Sequence, residues 1–336
     1  MLFIRDLDDV IMGRTQEVQC DELDIISGYV GPAPVKMLQK LPFKVTVIYG
    51  MYGAEGIRDR LHKALLKENK NLSNVDILYS TKPVHSKCYI YKHKGKIVSA
   101  LIGSANFSTN GLTTPYKEVL ADTPYTTFDA LDRYFELVKN ASIDCTDAVA
   151  KSNPKKVDGI QTDKYDAEIC TMPLYTTING IDCVPEKSGL NWGMAKYSGS
   201  HVNENDAYIA LPAEIIAKYP QMFPAKQKQP TNIQDVFRID HRDNDCIEMI
   251  WDDGTEMRGL LEGSRISTKD GTKTAYPKQL SSSPHKKVLG EYIRKRIGVP
   301  AKRGNYITLE DLDRYGRRTV DISLLGEGIY YMDFSV

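Results

Sequence analysis

Short apolar runs along the first half of the chain are interleaved with stretches of helical spacing. The stretch from Asp24 to Val30 reads as a strand ending at Gly31-Pro32. A short helix is expected from Met37 to Leu41, stopped by Pro42, and a second strand follows from Phe43 to Tyr49. Beyond Gly50, Gly53 and Gly56, the spacing of Ile57, Leu61, Ala64 and Leu65 predicts one helical face. Val75 to Tyr79, Lys87 to Tyr91, Ile97 to Ile102 and Val119 to Ala121 read as further strands. A helix with Leu131, Tyr134, Phe135 and Val138 on one side spans about Thr127 to Asn140. Strands interleaved with helices argue for an α/β domain with a mixed sheet flanked by helices. Residues 1–150 form this expected domain, and the polar stretch 151–166 is its expected linker.

The remainder, 167–336, has a different texture. Apolar runs recur at Ile169–Leu174, Ala207–Leu211, Val236–Ile239, Cys246–Trp251, Met257–Leu261 and Ile329–Phe334, separated by glycine, proline and Asn-Gly or Asp-Gly turns. That pattern predicts a mostly-β, mainly antiparallel pseudobarrel. Helices are expected near Glu214–Tyr219, Val288–Ile297 and Leu309–Tyr315. The acid pairs Asp252-Asp253 and Glu310-Asp311 fall in turns or at a helix start, where capping accounts for them.

One stretch carries concentrated chemistry. Lys87 to Tyr91 and Ile97 to Ile102 form an expected hairpin over the turn Lys92–Lys96, with Gly95 free to take positive φ. The hairpin brings the start of its first strand beside the end of its second. His85 and Lys87 are two residues apart, as are Ser104 and Asn106, so the pleat predicts four converging polar groups. No acidic side chain lies between Asp76 and Glu118, while Lys82, Lys87, Lys92, Lys94, Lys96 and Lys117 supply positive charge. Such a site suits a phosphodiester, because cations and amide donors stabilise charge that grows at phosphorus.

His85-x-Lys87 followed by Gly103-Ser104-x-Asn106 resembles the signature of the phospholipase D superfamily. The resemblance implies that His85 is a nucleophile forming a phosphohistidine, and that Lys87, Asn106 and Ser104 hold phosphoryl oxygens. It also implies that Glu118 orients the histidine. One position departs, since the aspartate expected shortly after Lys87 is replaced at Tyr91 or Lys92.

Two glycine-punctuated arms mark the second half. One carries Asn191, Trp192, Lys196, Tyr197 and Ser198, and the other carries Arg258, Arg265, Ser267, Thr268 and Lys269. Arg and Asn can read base edges, and Lys, Ser and Thr can hold phosphates. Gly189-Leu190-Asn191-Trp192-Gly193, Leu289-Gly290-Glu291-Tyr292-Ile293-Arg294 and Tyr331-Met332-Asp333-Phe334-Ser335 resemble the C-terminal domain of NgoFVII-type restriction endonucleases. Those proteins, like BfiI, join a phospholipase D-like nuclease and dimerisation domain to a pseudobarrel related to the plant B-three DNA-binding domain. The resemblance implies a sequence-specific type II endonuclease acting on double-stranded DNA without a metal or other cofactor. Only one H-x-K motif is present, so it implies a homodimer with one site between two copies of His85.

Composition sharpens this in a few respects. Lys plus Arg and Asp plus Glu both number 44, so an anion-binding surface is a local patch rather than a global field. Neither a secretory h-region nor a membrane-length apolar run is visible, and six scattered cysteines form no C-x-x-C pair. A reduced, cytoplasmic (prokaryotic) setting with no membrane partner is therefore expected. No phosphate-loop motif occurs, so an ATPase or helicase, if required, is a separate subunit. The rival readings are a phospholipid-processing relative, which predicts a membrane-binding surface, and a DNA-binding protein with an inactive phospholipase D-like domain.

Overall fold

The computed structural model describes residues 1–153, 156–157, 160–161, 168–194, 202–226, 244–269 and 272–336. The chain divides into two compact units, Met1–Asn153 with Leu325–Ile329, and Pro154–Leu324 with Tyr330–Val336.

The first unit is built on strands β1 (Leu2–Phe3), β2 (Glu22–Ser27), β3 (Lys44–Tyr49), β4 (Val75–Ser80), β5 (Cys88–His93), β6 (Lys96–Gly103), β7 (Leu120–Asp122) and β8 (Ser142–Asp144). They form one mixed sheet in the order β1-β7-β6-β5-β2-β3-β4-β8. β2, β3 and β4 run parallel, and β5 joins β2 antiparallel. The central strands are near-continuous apolar runs because helices cover both faces. The helices are α1 (Leu7–Glu17), α2 (Pro32–Met37), α3 (Tyr52–Glu55), α4 (Asp59–Asn71), α5 (Thr109–Thr113) and α6 (Phe128–Asn140). Phe135 and Val138 of α6 pack on Ile26, Ile48, Cys88 and Ile90. On the opposite face the Tyr91 hydroxyl donates to the Ile11 carbonyl of α1.

Several boundaries differ from the sequence expectation for local reasons. The helix expected from Met37 begins at Pro32, whose fixed φ suits a first helical turn, and Leu38–Lys40 only closes it as a 3₁₀ turn. The β5–β6 turn is two residues, Lys94 and Gly95, both at positive φ, with His93 opposite Lys96. That is the turn whose twist matches its strands. Helix α1 and edge strands β1 and β8 were absent from the pattern reading. Lys92 occupies the departing motif position and turns toward α6, where its ammonium lies 2.9 Å from both Asp24 and Asp132 and 4.6 Å from the Phe135 ring centroid. Burial raises the Asp24 carboxyl to about 6 even against Lys92. The charge is thus reversed at this position, with its carboxylate partners on β2 and α6.

The second unit carries a seven-stranded sheet in the order Cys170–Pro173, Thr319–Gly326, Ile329–Asp333, Asp245–Trp251, Glu256–Glu262, Gln279–Ser282, Ile209–Ala210. Strands Gln279–Ser282 and Thr319–Gly326 were not expected, and the run Val236–Ile239 lies outside the described residues. Trp251, Met249, Leu280, Leu289, Ile293 and Phe334 meet in its core. Helices Ala213–Lys218, Lys287–Ile297 and Leu309–Tyr315 match expectation closely. Thr308 and Asp311 form a capping box, which explains that acid pair. Asp252 instead grips Arg296 at 2.9 Å and 3.1 Å. All six cysteines are free thiols, and among the described residues no helix is long and apolar enough to cross a membrane.

Candidate active site

The site forms where β2 and β3 end and β5 begins. Backbone contacts make the convergence. Val84 N donates to the Gly50 carbonyl at 3.0 Å, and a Cβ on Gly50 would lie only 2.1 Å from the Val84 carbonyl oxygen. That close approach sets the path of the chain into His85. On the other side, the Ser27 hydroxyl accepts from Phe107 N at 2.8 Å and donates to the Tyr29 carbonyl at 2.7 Å. It ties the turn after β6 to the end of β2. The expected pleat does not reach this far, since β5 starts at Cys88 and β6 stops at Gly103. Tight turns, rather than strand alternation, place the side chains.

Three of the expected residues meet at one point. A Cβ on Gly28 would stand 2.9 Å from His85 Cδ2, 3.3 Å from Asn106 Oδ1 and 3.3 Å from Lys87 Nζ. Gly28 is therefore the floor of the site, and only a residue without a side chain leaves it open. Lys87 Nζ lies 3.0 Å from His85 Nδ1 and 3.2 Å from Nε2, and it donates to the His85 carbonyl at 2.6 Å. An ammonium can donate only to an imidazole nitrogen that carries a lone pair, which is also what a nucleophile needs. His85 is exposed while Lys87 is buried, and burial lowers the Lys87 pKa against the pull of Glu118 and Glu327.

Asn106 is 3 % exposed and its amide is oriented by its bonds. Oδ1 accepts from Tyr29 N at 3.1 Å, so Nδ2 faces outward as a donor and reaches Glu327 Oε2 at 3.0 Å. The Tyr29 ring meets His85 edge-on at 6.0 Å, and Glu55 holds its hydroxyl at 2.9 Å and 3.0 Å.

Ser104 and Glu118 form a neighbouring pair. The Ser104 hydroxyl accepts from Val119 N at 3.1 Å, next to Glu118 in the chain. Burial raises the Glu118 pKa against the lowering influence of Ser104. The group set against the His85 ring is Lys87, at 3.0 Å and 3.2 Å from its two nitrogens. Gly28, Tyr29 and Glu327 were missed around this point, and Lys117 was noted only among the lysines of the acid-free stretch. The signal available was Ser27-Gly28-Tyr29 at the carboxyl end of a parallel strand, where α/β sheets open their crevices.

The recognition residues divide. Asn191 is fully buried, and its amide is consumed by Pro185 O, Ile307 O, Ile307 N and Arg294. That corrects its expected place on a DNA-reading arm, because no donor or acceptor remains for a base. Trp192 is half-buried, edge-on to Tyr208 at 5.8 Å, with Lys286 Nζ 4.6 Å over its ring. Lys196, Tyr197 and Ser198 lie outside the described residues. Arg258 is exposed on its strand. Arg265, Ser267 and Thr268 are exposed on Arg265–Lys269, which pairs with Thr272–Tyr276, and Lys269 ends that strand. By alternation Arg265 and Ser267 share one face of this ribbon and Thr268 takes the other.

Comparison with known proteins agrees with this architecture. Residues 5–151 match the NgoFVII restriction endonuclease N-terminal PLD domain, and residues 168–325 match the NgoFVII C-terminal B3-like DNA-binding domain. No curated protein matches the chain. Among solved structures, NucT from Helicobacter pylori is similar at 19% identity and a TM-score of 0.32, covering 43% of this chain and 97% of NucT. The phospholipase D family member Nuc from Salmonella typhimurium is similar at 13% identity and a TM-score of 0.31, covering 43% of this chain and 97% of Nuc. The two family matches run through both units in order, and the chain belongs to the NgoFVII restriction endonucleases, DNA-hydrolysing enzymes with a PLD nuclease domain followed by a B3-like DNA-binding domain.

Proposed function

We propose that the chain is a sequence-specific, metal-independent endodeoxyribonuclease that cleaves through a phosphohistidine at a site shared by two copies. The observation that carries this reading is the convergence of His85, Lys87 and Asn106 around Gly28, with the imidazole exposed and the donors held from behind. His85 attacks phosphorus, a P–N bond forms, and the P–O bond to the leaving strand breaks. The partner's His85 gives that oxygen a proton. Water then attacks phosphorus, the P–N bond breaks, and the partner's His85 takes the proton from the water. Two easier displacements replace one hard one. A two-fold arrangement supplies both imidazoles from one motif.

Lys87 and the outward Asn106 amide neutralise the phosphoryl oxygens, a task otherwise given to a metal ion. Ser104 and Glu118 complete the polar wall, with Glu118 under the influence of Ser104, Lys117 and Lys87. In the second unit, the exposed ribbon carrying Arg265, Ser267 and Thr268 has the dimensions of a two-stranded reader that the major groove admits. Double-stranded DNA is the substrate on this reading.

The test is a plasmid and defined-duplex cleavage assay in excess chelator. Wild type is expected to cut at fixed positions, and His85→Ala is expected to bind the same DNA without cutting. Cleavage that disappears on chelation, or that survives His85→Ala, would overturn the reading.

A further inference from the structure

The Glu327 carboxylate is held by two groups at once. Oε2 accepts from Asn106 Nδ2 at 3.0 Å and Oε1 pairs with Lys117 Nζ at 3.1 Å. Lys117 is itself aimed by a second bond, to Asn110 Oδ1. The Lys117 side chain is mostly covered, at 22% exposure, whereas the Glu327 side chain is 40% exposed. The donors are therefore fixed in the fold and the acceptor stands at the open side. Among the lysines of the acid-free stretch, Lys92 is spent on Asp24 and Asp132, Lys94 lies in the far turn of the hairpin and Lys96 follows it. Lys117 instead shares its carboxylate with Asn106, a residue that touches the reacting point around Gly28.

A carboxylate and a phosphodiester present the same face to such donors, two anionic oxygens on one central atom. An anion bridging Asn106 and Lys117 thus marks where a second non-bridging phosphoryl oxygen can be held. Charge-assisted donors of this kind are roughly twice as strong as neutral ones. We propose that Lys117 is a further phosphate-binding residue of this site, and that with Asn106 it holds the DNA phosphodiester where the Glu327 carboxylate sits in the free chain. The inference deepens the nuclease reading and rests on it for the identity of the anion.

Two substitutions of opposite expected sign test it. Lys117→Met removes a ligand of the phosphate, and Glu327→Gln removes its competitor. Thermal unfolding of the full chain is followed over a series of inorganic phosphate concentrations, since a ligand bound to the folded state raises the midpoint by mass action. Wild type is expected to be stabilised by phosphate. The apparent Kd is expected to weaken about tenfold in Lys117→Met and to tighten severalfold in Glu327→Gln, with Lys117→Arg close to wild type. In DNA cleavage the same variants are expected to raise and lower KM respectively.

A purely fastening role for Lys117 makes the opposite forecast. Losing either end of its ion pair would then shift phosphate binding in one common direction or leave it unchanged. That outcome overturns the proposal, as does a wild-type chain indifferent to phosphate. Failure of the wild type to cut DNA while the phosphate linkage behaves as expected would overturn the nuclease reading and leave the anion site standing.

Discussion

Two asparagines, one in each unit, show what separates a candidate site from a structural one. Asn106 and Asn191 are 3 % and 0 % exposed, and both stand in motifs that attract attention. Asn191 makes bonds at both ends of its amide, accepting from Arg294 at 3.1 Å and Ile307 N at 2.7 Å, and donating to Ile307 O at 2.8 Å. Asn106 has its oxygen pinned by Tyr29 N and its amide protons aimed at an exposed carboxylate. Burial does not tell them apart. What does is whether a bond is left for something that arrives from outside.

The comparison breaks most visibly by truncating each residue. Asn106→Ala is expected to lower single-turnover cleavage by about 10³-fold, the loss seen when one fixed donor to a developing oxyanion is removed. Its urea midpoint should move little. Asn191→Ala reverses the pattern. It takes the acceptor from Nη2 of the fully buried Arg294 and from the Ile307 amide, so unfolding of the second unit is expected to ease by about 3 kcal/mol. An Asn191→Ala chain that melts normally but misreads its DNA site would restore Asn191 as a base reader.

Gly28→Ala sharpens the contrast from the floor of the site. The added methyl collides with His85 Cδ2, and a displacement of about 1 Å can cost about 10²-fold in rate. Cleavage should fall by that order while the thermal midpoint stays within a few degrees. A smaller effect is expected on the exposed ribbon, where Arg265→Ala should weaken specific binding by about 1–3 kcal/mol and leave non-specific binding nearly unchanged. Equal losses on specific and random DNA would make Arg265 a phosphate contact.

The smallest effect concerns the reversed charge at Lys92. Asp24 has its folded pKa raised from 3.8 to about 6, chiefly by burial. A carboxyl raised on folding favours the folded state most below its unfolded value, and that contribution is lost as pH rises through the folded value. Denaturant stability is therefore expected to decline between about pH 4 and pH 6, and Asp24→Asn should flatten that decline. An unchanged slope would show that Lys92 and Asp132 fully offset the buried charge.

Much of this was legible in the sequence, for reasons that differ by element. The run Val45 to Tyr49, rich in β-branched residues, and the helical face of α6 declare themselves because each keeps one pattern over successive residues. The convergence of His85, Lys87 and Asn106 was legible from their types and spacing, though turns beyond the strands, not the expected pleat, bring them together. Helix α1 was not, since only Leu7 and Ile11 of its eleven residues are buried. Glu327 lies more than two hundred positions from its partner Asn106, and no local pattern announces such a pair. Asn191 was misread because a glycine-flanked loop looks the same whether its amide faces solvent or is spent on Ile307 and Arg294 in the core.

The central claim is that a histidine of this chain bonds to phosphorus between two displacements. Stereochemistry tests it most directly, by cutting a phosphorothioate DNA of known configuration in isotopically labelled water and reading the configuration of the product. Each in-line displacement inverts phosphorus once, so the account predicts net retention. Inversion would mean that water attacks directly, and it would contradict the phosphohistidine.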